Sequence, residues 1–328
     1  MRAFVTGGAG FIGRELSKKL IDRGHEVVCF DVGEQFARHD TFMRELKSDK
    51  LETISGTILD RFKLNTGMKD CDIVFHMAAM LGVKRTEDNR LRCMETNVSG
   101  TDTVLSACVF NRVNHVVFAS SSEVYGEPSN NPISETDETK GKTVYAVSKL
   151  AGEELVKGYN QLFPDLNYTI VRFFNTYGEG QVAQFVLAKF VKAVLDGRNP
   201  VVFGDGTQKR SYGHVDDVTD GLMSIMESSI SRGKIYNLGN SNQQKTLTEL
   251  AQNVIDELAP ESDLTVDILG TFEGSDRKME REIFTRFCDT SLAQTELGYN
   301  PQISVVEGIR RLAESKHLFD DWPSQFYE

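Results

Sequence analysis

Several things are scarce in this 328-residue chain. Cysteine occurs five times, an odd number, scattered and without the spacing of a metal site or a disulfide framework. That pattern fits reduced thiols in a cytoplasmic protein, and no metal is expected. No apolar run is long enough to cross a bilayer, so no membrane association is expected. The N-terminus passes straight into a strand pattern, which predicts no signal peptide. Basic residues are outnumbered, 37 Lys and Arg against 48 Asp and Glu, for a net charge of −11. A nucleic-acid binder would show a basic face instead. An anionic small ligand is still allowed, because a few local donors can overcome the mean charge. Fixed-period repeats and low-complexity segments are absent as well. What is left is ordinary globular composition, at a length that suits one large domain or two modest ones.

Short apolar runs alternate with longer helical patterns. Strands are expected at Arg2–Thr6, Glu26–Asp31, Leu51–Ser55, Asp72–His76, His115–Ser120 and Tyr168–Phe173. Several are apolar on successive residues, as when both faces of a parallel sheet are covered. Helices are expected over Phe11–Arg23, Asn97–Asn111 and Tyr145–Leu162, with Gly24 and Pro164 as stops. This alternation implies an α/β fold with a doubly wound parallel sheet of the Rossmann type. After Phe174 the rhythm changes. Helices are expected over Gln184–Asp196, near Asp217–Glu227, and over Thr246–Leu258 and Ser291–Leu297, with a short strand in the loop-rich "NPVVFGDGTQKRSYGHVDDV" and another at "KIYNLG". The division read from this is a dinucleotide-binding domain over 1–174, with a return excursion near 212–240, and a smaller α/β substrate lobe over 175–328. The ligand site is expected in the cleft, at the carboxyl ends of the strands.

"VTGGAGFIG" joins the first strand to the first helix. Gly7 permits a tight turn, Gly10 lets backbone approach a phosphate, and Gly13 lets the helix pack against the sheet. The N–H groups at the start of the helix, around Phe11 and Ile12, then face a pyrophosphate. Asp31 ends the second strand, placed to accept from an adenosine ribose and to repel a 2′-phosphate, so NAD is expected over NADP. Asp60 follows the third strand, either at the adenine edge or as a helix cap. In "HMAA", Ala78 is small where backbone must pass close to the cofactor, and His76 reads as a packed histidine bonded to backbone.

"VYAVSK" sets Tyr145 and Lys149 four apart, on one helical face. A free phenol titrates near ~10, and a nearby ammonium with a positive nicotinamide ring would lower it, making Tyr145 a base for a sugar hydroxyl. Lys149 can also bond the nicotinamide ribose. Upstream lies "ASSSEVYGE". With "RFFNTYG", "GDGTQKRSYGHVDDV", "YNLGN" and "LGYNP", these motifs resemble the extended short-chain dehydrogenase/reductase family over nearly the whole chain. The similar branch is the NAD-dependent nucleotide-sugar epimerases, dehydratases and decarboxylases.

The resemblance implies a bound NAD that takes a hydride from C4 of a nucleotide-diphosphate sugar and gives it back. Counting back from Gly126, the catalytic hydroxyl falls on Ser121, followed by Ser122 and Glu123. Once C4 is a ketone the C5 proton is acidic, and Glu123 can remove it as a general base or can merely bond a neighbouring N–H or Arg. C4 epimerisation is the leading expectation. A 4,6-dehydratase or uronate decarboxylase using Glu123 is the alternative, and an NAD-sensing protein without turnover is a third. The resemblance also places Asn175 on the substrate phosphate and Arg210 and Arg281 on the diphosphate or the nucleotide ribose, with Arg286 competing with Arg281, and sets the nucleobase against Val201–Phe203. Arg85 is a weaker candidate at the sugar. The helix from Asn97 and the Tyr/Lys helix are expected to form a homodimer interface.

Overall fold

The computed structural model describes residues 1–181, 185–275 and 279–315. Its centre is a seven-stranded, wholly parallel sheet. The chain supplies fourteen strands among the described residues: β1 Arg2–Thr6, β2 Glu26–Asp31, β3 Leu51–Ser55, β4 Ile73–His76, β5 His115–Ser121, β6 Asn167–Phe173, β7 Thr176–Tyr177, β8 Val201–Val202, β9 Lys209–Ser211, β10 Gly213–His214, β11 Lys234–Leu238, β12 Gln244–Thr246, β13 Asp267–Ile268 and β14 Thr285–Arg286. The order across the main sheet is β11-β6-β5-β4-β1-β2-β3. The chain therefore winds outward in one direction from β1 to β3 and in the other from β4 onward. The reversal between β1 and β4 opens a crevice at the strands' carboxyl ends, where ligands bind in sheets of this kind.

The strands are buried because helices cover both faces. The helices of the described chain are α1 Phe11–Asp22, α2 Gly33–Arg38, α3 Asp40–Glu45, α4 Arg61–Gly67, α5 Val83–Asp88, α6 Arg90–Met94, α7 Gly100–Phe110, α8 Val144–Leu162, α9 Val186–Leu195, α10 Val215–Glu227, α11 Leu247–Leu258, α12 Ser291–Leu297 and α13 Val305–Glu314. One face of the sheet packs Phe4, Val28, Val74, Val116 and Phe118 against Leu64, Val104, Leu105 and Val156. The other packs Val5, Phe75, Val117 and Val171 against Leu16, Leu20, Leu222 and Met223. Successive strand residues go to opposite cores, which is why these strands read as continuous apolar runs. The exception is β3, an edge strand with only partial burial of Leu51 and Ile54.

After Phe173 the chain leaves the main sheet, and it returns with β11, which pairs in parallel with β6. The remainder builds a second apolar core from α9, α11 and α13 with Tyr177, Val202 and Tyr212. Small sheets join β12, β9 and β14, and β8 with β13. The sequence reading had only a single short strand here. The helix expected over Gln184–Asp196 is Val186–Leu195; Gln184 and residues 316–328 lie outside the described residues. The helix expected from Asn97 begins instead as a π turn over Glu95–Ser99, continuing into α7.

Candidate active site

At Gly7 and Gly13 the glycine loop leaves no room for a side chain. Gly7 has φ +67°, and a Cβ there would stand 2.7 Å from the backbone N of Ala78. A Cβ on Gly13 would stand 2.1 Å from the carbonyl oxygen of Gly7. That carbonyl accepts from Gly10 N at 3.0 Å, closing the turn. No side chain caps α1, so the first-turn N–H groups at Phe11, Ile12 and Gly13 point into the crevice. This cradle, with α1's positive dipole end behind it, fits a pyrophosphate.

Asp31 lies at the end of β2 and accepts from Val32 N at 2.8 Å and from Ala9 N at 3.2 Å. Burial raises its carboxyl to about 6, opposed by these N–H groups and by that of Gly10. The folded-state pKa thus exceeds the unfolded one, about 3.9. Protein without cofactor binds more protons folded than unfolded in that window, and this group's stabilisation is lost as pH rises from about 4 through 6. Ribose hydroxyls favour the carboxylate. NAD affinity is therefore expected to fall as pH drops through 6, and Asp31→Asn to flatten that dependence. Asp31→Ala is expected to weaken NAD and relax the rejection of NADP. Titration calorimetry with both cofactors checks this; wild type binding NADP as tightly as NAD overturns the role.

Around this cradle, Ala78 abuts Gly7 and donates its N–H to Thr6 Oγ1 at 3.2 Å. Asp60 caps α4, accepting from Lys63 N at 3.1 Å, which is the helix-cap alternative. His76 requires a correction. It is buried, but its ring nitrogens meet side chains rather than backbone: Thr6 Oγ1 at 2.7 Å and Thr101 Oγ1 at 3.0 Å. Burial first, and Lys149 second, lower it to about 3. A neutral ring between two hydroxyls ties β1 and β4 to α7.

Ser121 ends β5, and its Oγ accepts from Glu123 N at 3.2 Å and hydrogen-bonds the Tyr145 phenol. Ser122 is buried beside it. Tyr145 lies in the first turn of α8, with Lys149 one turn on, its Nζ 5.8 Å from the Tyr145 ring centre. Lys149 is 3% exposed and donates to Ala119 O at 2.7 Å. Burial lowers its ammonium to about 8, with Cys93 and Glu153 pulling the other way. The Tyr145 phenol departs from expectation. Burial, then the Glu123 carboxylate, push it above its ordinary value, with the Ser121 bond opposing. The sequence reading counted the lysine's charge together with that of a bound nicotinamide ring, and it omitted dehydration and the neighbouring anion. The protein's own groups thus hold Tyr145 as a neutral phenol.

Glu123 is fixed from two sides. Its Oε2 accepts from Thr143 Oγ1 at 3.2 Å, and Arg286 lies 3.8 Å from Oε1. Thr143 is also the N-cap of α8, accepting from Ala146 N at 3.1 Å. Glu87 adds a second brace, accepting from Val144 N at 3.0 Å. Asn97, set by the π turn, bonds Met80 N at 2.7 Å, Met80 O at 3.0 Å and Ser148 Oγ at 2.9 Å. It stitches the segment after β4 to α8. Sequence reasoning missed Thr143, Glu87 and Asn97. A Thr directly before a helical pattern was a readable cap signal; the other two depend on long-range pairing.

The expected diphosphate residues separate. Asn175, at φ +29°, donates to Ser211 O at 3.0 Å. Arg210 is spent on the segment that leads into β14: Phe284 O at 3.0 Å, Glu282 Oε1 at 2.8 Å and Ile283 O. Arg281 donates to Lys142 O and lies 4.0 Å from Glu87, toward the α8 N-terminus. Arg286 is the buried one, 4% exposed, in register with Arg210 across β14 and β9. Of the two competing arginines it is Arg286 that meets Glu123. Arg85 is exposed on α5, its guanidinium lowered by partial desolvation and by Arg92 and Arg38.

Comparison with known proteins agrees with this geometry. The family model described as the NAD dependent epimerase/dehydratase family matches residues 3–239. A UDP-N-acetyl-alpha-D-glucosaminuronate decarboxylase of Bacillus cytotoxicus is 34% identical over 94% of this chain and 95% of its own. A UDP-glucose 4-epimerase of Mycolicibacterium smegmatis is 33% identical over 96% of this chain and 98% of its own. A crystal structure of UDP-glucuronic acid 4-epimerase from Bacillus cereus, in complex with UDP-glucuronic acid and NAD, superposes with a TM-score of 0.88 at 27% identity, covering 97% of this chain and all of that one. The chain belongs to the NAD dependent epimerase/dehydratase family.

Proposed function

We propose that this enzyme interconverts C4 epimers of a nucleotide-diphosphate sugar through a transient 4-keto sugar. The observation that carries the reading is the convergence of Ser121, Tyr145 and Lys149 at the mouth of the glycine-loop crevice. When bound, NAD supplies the hydride acceptor and donor. Tyr145 takes the proton of the C4 hydroxyl and later returns it. Ser121 shares a hydrogen bond with the same oxygen. Lys149 contributes positive charge, and because the protein alone leaves the phenol neutral, the oxidised nicotinamide's charge is needed to bring it into range. Relatives named as 4-epimerases and a bound UDP-sugar in a similar structure support a nucleotide-sugar substrate.

One observation favours a second reading, decarboxylation of a nucleotide-linked uronate. Arg286 is a buried cation beside Glu123, suited to a sugar carboxylate, and a relative is named as a uronate decarboxylase. A panel of UDP-, GDP-, dTDP- and CDP-sugars, uronates included, followed by mass and NMR, decides between them. Product of unchanged mass supports epimerisation; loss of CO2 or of water overturns it in favour of a decarboxylase or a dehydratase. Solvent deuterium adds a second arm. A 4-epimerase has no need to exchange the C5 proton, and Glu123→Gln is expected to keep interconverting epimers at a moderately changed rate. Incorporation of deuterium at C5 by wild type would overturn simple epimerisation, and its loss in Glu123→Gln would make Glu123 the base.

The outer face of α7 and α8 supports a homodimer. Val109, Leu155, Leu162 and Phe163 line an apolar groove there, and Leu162 and Phe110 are 72% and 71% exposed. Leu162→Glu is expected to yield monomer in sedimentation velocity; a wild type that sediments as a monomer rules the dimer out.

A further inference from the structure

Behind Tyr145 and Lys149 lies a buried ion pair with no part in the chemistry above. Glu153 is on α8 at the same helical face, four residues beyond Lys149 and eight beyond Tyr145. Its side chain is 1% exposed, and that of its partner Arg172 on β6 is 5% exposed. The carboxylate is saturated. Oε1 accepts from Ser120 Oγ at 2.5 Å and from Arg172 Nε at 2.9 Å, and Oε2 accepts from the second arm of the guanidinium at 2.7 Å. Ser120 is the residue directly before Ser121. Arg172 also donates to Tyr125 Oη at 3.0 Å and Glu135 O at 3.1 Å. Tyr125, from "EVYG", donates onward to Asn237 Oδ1 on β11 at 2.7 Å.

We infer that Glu153 is a positioning residue for the reaction, clamping the helix that carries Tyr145 and Lys149 to the strand end that carries Ser121. The inference rests on the reading that these three residues do the chemistry. Ser121 and Tyr145 come from elements separated in sequence, and their hydrogen bond requires the end of β5 and the first turn of α8 to keep a fixed distance. Apolar packing brings helix and sheet together, with Gly152 of α8 lying against the Phe118 ring and no room for a side chain between them, but such packing is non-directional. A bidentate carboxylate–guanidinium pair with a serine on the same oxygen fixes the distance. Its value for stability alone is small, since replacing such a pair by apolar residues of similar volume is often neutral.

The pair also sets the charge beneath Lys149. That ammonium faces Tyr145 and Glu153 from α8, Cys93 from α6 and His76 from β4, with Arg172 of β6 behind Glu153. Removing the negative charge of Glu153 leaves Arg172 unopposed and makes the lysine easier to deprotonate.

Glu153→Gln keeps size and most hydrogen-bonding capacity. It is expected to lower kcat by about 10-fold or more through misalignment. KM for the nucleotide sugar is expected to stay within about 3-fold, as for a loss felt in the transition state, with bound NAD per chain unchanged. The basic limb of kcat against pH should move to lower pH, and adding Arg172→Met should move it back. A kcat near wild type overturns the inference, as does a fall in kcat that tracks thermal stability with an unmoved pH limb. Should Glu153→Gln fail to fold, Ser120→Ala decides, because it cuts only the tether to β5: a several-fold lower kcat at native stability upholds the clamp, and an unchanged kcat refutes it. Tyr145→Phe runs alongside. Turnover in that variant refutes the underlying chemistry, whereas an inert Tyr145→Phe with a fully active Glu153→Gln refutes only the clamp.

Discussion

Tyr145→Phe loses roughly 10²-fold or more in turnover, as expected for deletion of a general acid–base group, while the protein still binds NAD. The substitution keeps the ring and its packing in the first turn of α8 and deletes one oxygen. That oxygen hydrogen-bonds Ser121, and the phenol that follows β5, Tyr125, is committed to Asn237 and Arg172. The cofactor cradle sits on a different element, the loop before α1, and is untouched. Lys149→Met behaves differently. It removes a buried ammonium bonded to Ala119 O, so both turnover and NAD affinity fall. Stopped-flow absorbance of the reduced nicotinamide and calorimetric NAD binding separate the two patterns. Turnover near wild type in Tyr145→Phe would leave the proposed proton relay without its central group.

Much of this site was readable because its parts are local. Gly7, Gly10 and Gly13 declare a turn, an approach and a packing contact within one loop, and Asp31 follows a strand whose apolar run marks its end. Tyr145 and Lys149 share a face by spacing alone. What could not be read depends on pairing across the chain. β14 is two residues long, Thr285–Arg286, and its register with β9 is what carries Arg286 to Glu123; no local pattern separates it from Arg281. Arg210 was placed at the diphosphate by the resemblance of its motif; that its guanidinium also braces the backbone of 282–284 could not be read locally. Asn97 sits in a π turn, a widening that a 3.6-residue period cannot announce. The raised phenol of Tyr145 has the same origin: burial and the approach of Glu123 are tertiary facts.

The different roles read for Gly10 and Gly13 predict different outcomes for the same substitution. Gly13→Ala is expected to damage both fold and cofactor binding, whereas Gly10→Ala damages binding alone. A Cβ on Gly13 would stand 2.1 Å from the Gly7 carbonyl oxygen and 2.8 Å from Gly8 Cα, backbone on both sides. Gly7 cannot retreat, because its own α-carbon is already packed against Ala78 with no room for a methyl group. The helix must therefore shift away from the loop, at a cost of about 1–3 kcal/mol as in other overpacked sites. The first-turn N–H groups move with it, out of line with a pyrophosphate. Gly10 is the N-cap of α1 at φ −75°, a conformation alanine adopts freely. Its Cβ would meet only the Gly7 carbonyl, at 3.1 Å, and otherwise project into the crevice. Gly10→Ala should keep its thermal midpoint while losing NAD affinity by about 10-fold or more, since each tenfold corresponds to about 1.4 kcal/mol and one lost N–H contact to a charged oxygen is of that size. Thermal denaturation and NAD titration of both variants provide the check. A Gly10→Ala protein that binds NAD as wild type does would mean that the phosphates do not approach the loop at this residue.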